Sequence, residues 1–281
     1  MSPYLRSFGK LIAGLCVSVC FLGAARSQYF PRRSQASEST YLSVPTVNLA
    51  EGAFENEETI IKRFIDTESR QRAALNQHMF RRDVILQTIA PGGEVTGEYI
   101  RNSEFLFDDK GRRIERLIYH PPSTIREMRI TREDIQDLAG SQLLGVDVTE
   151  VAKYQFRVAG REKLNSREVI AIDVTPLIQP DPHRMTERFF VGRIWIDANT
   201  FQVVKTEGSV EPQGKQRFPH FETWREPIDS TLVFPVRTNA DDVLHFPARD
   251  VHYRITVRYY DYKLFACQVN IKEIDDVPPN Q

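Results

Sequence analysis

Cysteine is scarce in this chain, three residues in 281: Cys16 and Cys20 sit in an N-terminal apolar run, and Cys267 stands alone beyond it. Past that run no intramolecular disulfide can form, so a packed core has to hold whatever folds. A surplus of one charge is lacking too. Of 37 basic residues three (Arg6, Lys10, Arg26) fall in residues 1–27, and the 34 that remain face 38 acidic ones, a net charge of −4. That balance supplies no cationic field for nucleic acid or for an anionic membrane surface, so nucleic-acid binding is not expected. Familiar catalytic signatures are missing as well. The chain has no G-x-S-x-G elbow, C-x-x-C pair, H-E-x-x-H helix or G-x-x-x-x-G-K loop. Nothing beside Cys267 in sequence suggests a base that would activate its thiol. The expectation is a protein that is not an enzyme and that needs no cofactor and no metal.

What is present begins with Arg6 and Lys10 ahead of Leu11–Leu22. This apolar run is shorter than the roughly 20 residues of a spanning helix. It predicts a signal peptide over residues 1–27 and export to the periplasm. Ala25 and Ser27 hold the positions of small residues for cleavage before Gln28, with Gly23 and Ala25 as the alternative pair. Cys16 and Cys20 follow Leu15 and Val19 rather than the small residue of a lipoprotein cleavage site, which makes them ordinary members of the run. The alternative is an uncleaved run that tethers the protein to the membrane. Residues 28–55 mix Arg32, Arg33, Ser34, Ser37, Ser39 and Pro45 with few periodic apolar positions, and predict a flexible linker. One domain, 56–281, follows.

Asn56 precedes Glu57 and Glu58, carboxylates suited to a helix N-terminus, and Ile61, Phe64 and Ile65 fall at helical spacing. The pattern predicts an amphipathic helix over 56–76. A second, short helix is signalled by Thr131 as N-cap, Asp134 three positions later, Ile135 and Leu138 on one face, and Gly140 past the end. Strands dominate elsewhere. Tyr253, Ile255, Val257 and Tyr259 alternate with Arg254, Thr256 and Arg258, as a half-buried antiparallel strand requires. Asp108-Asp109-Lys110-Gly111 and Asp197-Ala198-Asn199-Thr200 read as hairpin turns. Further strands are expected near 82–90, 94–103, 151–161, 167–174, 217–226 and 231–239. The fold class is mainly β (α+β): a strongly curved antiparallel sheet, or incomplete barrel, of roughly ten strands closed by an N-terminal helix and one or more short helices.

The hairpin Phe189–Gly208 reads FFVGRIWIDANTFQVVKTEG: a Trp-containing strand ends at an Asp turn, and the return strand ends in Lys-x-Glu-Gly. It resembles the central hairpin of the LolA/LolB-like superfamily of periplasmic lipoprotein carriers and receptors. The order of elements over residues 56–265 resembles that family too. The segment Lys215–Asp250, with Pro219, Pro227, Pro235 and Pro247, matches nothing in it. The resemblance implies a half-barrel around an acyl-chain cavity and a role in binding lipid or lipoprotein acyl chains, with lipoprotein sorting to the outer membrane as the process it would serve. Strand and helix faces nominate Ile61, Phe64, Ile65, Phe190, Ile194, Ile196, Tyr253, Ile255 and Val257 as cavity-lining residues. Plain core packing accounts for the same residues, Ile61 and Phe64 above all. The alternative function is a partner-docking or sensor protein of the cell envelope with the same fold.

Four further groups were weighed against solvated surface. Asp242, His245, Asp250 and His252 carry groups that bind metal or act as a base if they converge, and Asp181-Pro182-His183 reads as a loop. Arg81-Arg82 and Arg112-Arg113, each flanked by acids, read as a solvated sheet edge. Gly192, Ile194 and Ile196 share one strand face and Trp195 the other, so Trp195 is expected to pack away from the cavity. Alternation puts Tyr260 and Tyr262 opposite Tyr259.

Overall fold

A computed structural model describes residues 56–131, 134, 148–178, 188–212 and 218–265. The predicted signal peptide and linker, the body of the second helix, Asp181-Pro182-His183 and Cys267 lie outside these residues. Helix α1 spans Glu57–Leu75, within a residue of the predicted bounds. Asn56 caps it by accepting the Glu58 N–H, and Ile60, Phe64, Thr67, Glu68 and Gln71 form its buried stripe. Of the second helix only its start is described. There Thr131 and Asp134 exchange side-chain and backbone hydrogen bonds at 2.7 and 3.2 Å, the expected capping pair.

Ten strands follow: β1 (His78–Ile89), β2 (Val95–Phe107), β3 (Arg113–Tyr119), β4 (Tyr154–Leu164), β5 (Arg167–Pro176), β6 (Phe189–Asp197), β7 (Val203–Glu211), β8 (Phe221–Pro227), β9 (Val233–His245) and β10 (Asp250–Leu264). They form one antiparallel sheet in the order β3-β2-β1-β10-β9-β8-β7-β6-β5-β4. The expected strands at 94–103 and 104–108 are a single long β2. The ladder runs as hairpins except where β1 pairs with β10, and β3 and β4 are its two ends, so the sheet is not closed into a barrel.

The proline-rich segment that the resemblance could not place forms β8 and β9. Pro227 ends β8, and Pro235 sits opposite Arg225 beside a register shift, where a missing N–H costs the ladder least. A second irregularity corrects the tyrosine reading. Asp261 has φ 59°, and the β1–β10 register shifts between Met79 and Arg81. This bulge turns the chain by one residue. Tyr260 stays exposed while Tyr262 joins Tyr259 on the core side, donating its hydroxyl to the Pro235 carbonyl at 2.6 Å.

α1 crosses one face of the sheet, called here the inner face, and packs on β4 and β9. Phe64 meets Phe156 edge to face at 6.1 Å. Gln71 donates to the Thr231 carbonyl and accepts the Val233 N–H, both at 2.9 Å. At the centre of the contact Glu68, 3% exposed, takes both terminal nitrogens of Arg225, 5% exposed, at 2.8 and 2.9 Å. A bidentate pair this deeply buried is costly to break, since removing one partner strands the other charge. Glu68→Ala is expected to lower stability by about 3–5 kcal/mol in urea unfolding. Joint replacement Glu68→Leu with Arg225→Met is expected to restore most of that loss; a double variant no better than the single would contradict the reading.

Candidate functional site

Alternation along each strand assigns side chains to two faces, and register aligns them in rows across the sheet. On the inner face one row runs Arg101–Val84–Val257–Thr238–Thr223–Thr206–Ile194–Ile172–Val158, from β2 to β4. Its neighbour runs Tyr99–Leu86–Ile255–Ala240–Phe221–Gly208–Gly192–Val174–Phe156. Gly192 and Gly208 face each other because the ring of Phe190 lies across both; a Cβ on either would sit 2.8 Å from it and closer still to the opposite backbone.

The structure brings most of the sequence-nominated residues to this face. Phe64, Phe190, Ile194, Ile196, Tyr253, Ile255 and Val257 are buried in one apolar cluster, and Ile65 packs against it. Ile61 is half-buried and stands outside the cluster. Two different covers lie over the inner face. α1 covers the β4–β9 side. Over β1, β2 and β10 lies an irregular strap at 121–131, whose Ile125, Met128 and Ile130 pack against the cluster. Among the described residues Thr124 and Glu98 exchange hydrogen bonds at 2.9 Å, Ser123 donates to the Glu98 carbonyl at 3.3 Å, and Thr88 donates to Glu127 at 3.0 Å. Gly97 is required where the strap crosses β2, since a Cβ there would meet the Ile125 backbone at 2.6 Å. A hydrogen bond from the Thr96 hydroxyl, with others from backbone N–H groups and Thr88, holds the Glu127 carboxyl down at about 2.

The face is not uniformly apolar. Thr206, Thr223 and Thr238 adjoin one another across β7, β8 and β9, all fully buried. The hydroxyls of Thr223 and Thr238 pair at 2.8 Å, and Thr238 reaches the Tyr259 hydroxyl at 3.4 Å. At the β2 end lies a charged knot that sequence reasoning assigned to a solvated edge. Arg82 is only 3% exposed, lies over the Phe105 ring at 4.7 Å and donates to Glu115 at 3.3 Å. Glu115 also accepts from Arg101 at 2.7 and 3.0 Å and from Ser103 at 2.6 Å. Arg113 turns inward as well, donating to the Leu75 and His78 carbonyls. One of the flanking acids, Glu115, is the partner that lets Arg82 be buried, while Arg113 is held by backbone carbonyls.

Burial lowers the Arg82 guanidinium and raises the Tyr259 phenol. For Glu115, burial works upward, but hydrogen bonds from Arg101 and Ser103 and the charge of Arg82 outweigh it and hold the carboxyl below its ordinary value of 4.5. A depressed carboxylate contributes stability above its unfolded pKa and loses it as pH falls through the folded one. Glu115→Gln is therefore expected to destabilise at pH 7 by about 1–3 kcal/mol and to lose less than the natural chain when pH drops below 4.5. Equal acid sensitivity in chemical unfolding would contradict this.

The outer face has a different chemistry. Trp195 lies there, as alternation required, donating Nε1 to Glu162 at 2.9 Å. Lys205 stands between Trp195 and Trp224, 4.9 and 5.3 Å from their rings, and bonds Glu207 at 2.6 Å and Glu222 at 3.1 Å. Beside it is an open depression of about 420 Å³ bordered by Glu207, His220, Glu222, Asn239, Asp241 and Arg254. Of the nominated residues only Ile255 touches it. Phe221, Ala240 and Thr256 border it as well. Asp242, His245, Asp250 and His252 do not converge: His245 pairs with Asp250 at 2.9 Å, His252 pairs with Asp241, and Asp242 accepts the His220 N–H at 2.9 Å. β9 and β10 are interior strands, so these are exposed pairs of a central hairpin rather than of a sheet edge. Among the described residues no three His, Cys, Asp or Glu side chains are grouped to hold a metal, and no helix is long and apolar enough to cross a membrane.

Among solved structures the chain is similar to a LolA superfamily protein from Nitrosomonas europaea, at 14% identity over 76% of this chain and 96% of that one, with a TM-score of 0.36. It is similar to a DUF1329 family protein from Desulfovibrio piger at 12% identity over 75% and 95%, TM-score 0.35. A domain from Vibrio parahaemolyticus described as a putative outer membrane lipoprotein-sorting protein gives 11% over 74% and 94%, TM-score 0.34. No protein-family model and no curated protein matches the chain.

Proposed function

We propose that the protein is a periplasmic binding protein for the acyl chains of a lipid or lipoprotein, and that the inner face of the sheet is the surface that takes them. The observation that carries this reading is the division of cover over one largely apolar face. α1 is fixed by a buried ion pair, while the β1–β2–β10 side is covered by an irregular strap held, among the described residues, by neutral hydrogen bonds at Ser123 and Thr124 and by the Glu127 carboxylate. Segments of that kind open at the low end of a protein's stability range. Displacing Ile125, Met128 and Ile130 would free a surface formed by Val84, Leu86, Ile255 and Val257, and Met128 adapts readily to a new neighbour. Burial of a chain is worth roughly 0.8 kcal/mol per methylene, so about ten buried methylenes supply roughly 8 kcal/mol before ordering costs are subtracted. In this reading residues 1–27 direct export and residues 28–55 serve as a linker.

Residues 28–281, exported and purified without detergent, are expected to carry an acyl species near one per protein in native and denaturing mass spectrometry. Ala240→Phe, which fills the small position between Ile255 and Phe221 on the second inner row, is expected to lower that occupancy about tenfold with the circular dichroism spectrum unchanged. A protein that carries no lipid and takes up no fluorescent fatty acid would refute the proposal.

A further inference from the structure

Two hydrogen-bond donors at the β2 end of the inner face are not used by the fold. Glu115 takes Arg101 through Nε and Nη2, at 3.0 and 2.7 Å, and Nη1 has no hydrogen bond among the described residues. The same carboxylate also accepts from Arg82, so it is shared between two guanidiniums. Two residues back along β2, and therefore on the same face, Tyr99 is 4% exposed, and its hydroxyl has no hydrogen-bond partner among the described residues. The phenol lies close enough to Arg101 to add to the effect of Glu115 in raising the guanidinium. An arginine can only donate, however, so the phenolic proton is left without an acceptor. A buried O–H in that condition is costly and uncommon, and it calls for an oxygen from outside the chain.

The surroundings of these donors select the kind of oxygen. Glu127 and Asp134 stand at the row Gly97–Thr88–Tyr253: Glu127 bonds Thr88, and Asp134 adds to the burial that raises the Tyr253 phenol. Arg101 lies two rows away, so negative charge is favoured on its side and disfavoured on theirs. Across β1 from Arg101 and Tyr99 come Val84 and Leu86, then Val257 and Ile255 on β10, then Thr238 and Ala240 on β9. β2 to β9 is three strand spacings, about 14 Å of mostly apolar track that starts at the two donors. We propose that the lipid taken by the inner face has an anionic head, a carboxylate or a phosphate, and that the Tyr99 hydroxyl and Arg101 Nη1 donate to its oxygens while the chain crosses β1 and β10. This rests on the reading of the inner face as the acyl-binding surface. Glu115 fixes the far side of the Arg101 guanidinium, and the Arg101 side chain is 15% exposed, so the head lies at the border of solvent with the chain running inward.

Residues 28–281, freed of lipid, can be titrated with laurate, dodecyl phosphate and 1-dodecanol in competition with a fluorescent fatty acid. At least one of the two acids is expected to bind about tenfold more tightly than the alcohol, the worth of a charge-assisted hydrogen bond, and the tighter acid identifies the head. Y99F removes the hydroxyl alone and is expected to weaken that acid about fivefold more than it weakens the alcohol; for R101Q the difference is expected to be about tenfold. Circular dichroism checks the fold of each variant, and Y99F decides the matter if R101Q does not fold. Equal binding of acids and alcohol by the natural chain, or a Y99F that changes acid and alcohol alike, would overturn the anionic head and leave acyl binding standing. Failure of all three ligands to bind would refute the acyl-binding surface itself, and the head site with it.

Discussion

The grip of Glu68 on Arg225 decides where α1 lies, and the arrangement of the inner face depends on where α1 lies. A sheet of ten strands presents far more apolar surface than a helix of about 28 Å can shield. Because Glu68 is held from below by an arginine of β8, and Gln71 by the backbone at Thr231 and Val233, the helix cannot slide toward β1 and β10 to share its cover. The remaining side is left to a strap attached through threonines and one carboxylate. A helical cover fixed by an ion pair and a separate irregular one thus follow from the placement of a single buried charge pair.

The polar groups of the inner face fit the same division. Thr206, Thr223 and Thr238 lie mid-sheet, presenting small side chains whose hydroxyls are partly satisfied sideways, between strands. A row of larger apolar residues there would press against the helix. The charged knot of Arg82, Arg101 and Glu115 marks the other boundary, beyond which the face stops being apolar. An acyl chain bound along β1 and β10 would run between the two, in contact with Val257, Ile255 and the neighbouring row.

Much of this was legible before the structure. Alternation assigned Ile194, Ile196, Ile255 and Val257 to one side and Trp195 to the other, because the period of a strand is a local property that register cannot alter. The capping signals of Asn56, Thr131 and Asp134 were local in the same way. What escaped was everything set by distant pairing. Arg82 and Glu115 are 33 residues apart and Glu68 and Arg225 157, so their neutralised burial left no trace in spacing. The three threonines align only because two successive hairpins happen to be in step. Tyr262 was misassigned since a bulge at Asp261, a position with no glycine to announce it, reversed the alternation for the last residues of β10.

The central claim is that the inner face, and not the polar depression on the outer one, is the surface that receives an acyl chain. A fatty acid bearing a photoactivatable group at its methyl end, cross-linked to the protein and mapped by peptide mass spectrometry, addresses it directly. The account predicts labels on inner-face residues of β1 and β10, such as Leu86, Ile255 and Val257, and on Ile125 or Met128 of the strap. Labels concentrated at Glu207, His220 and Glu222, or spread evenly over the surface, would contradict it.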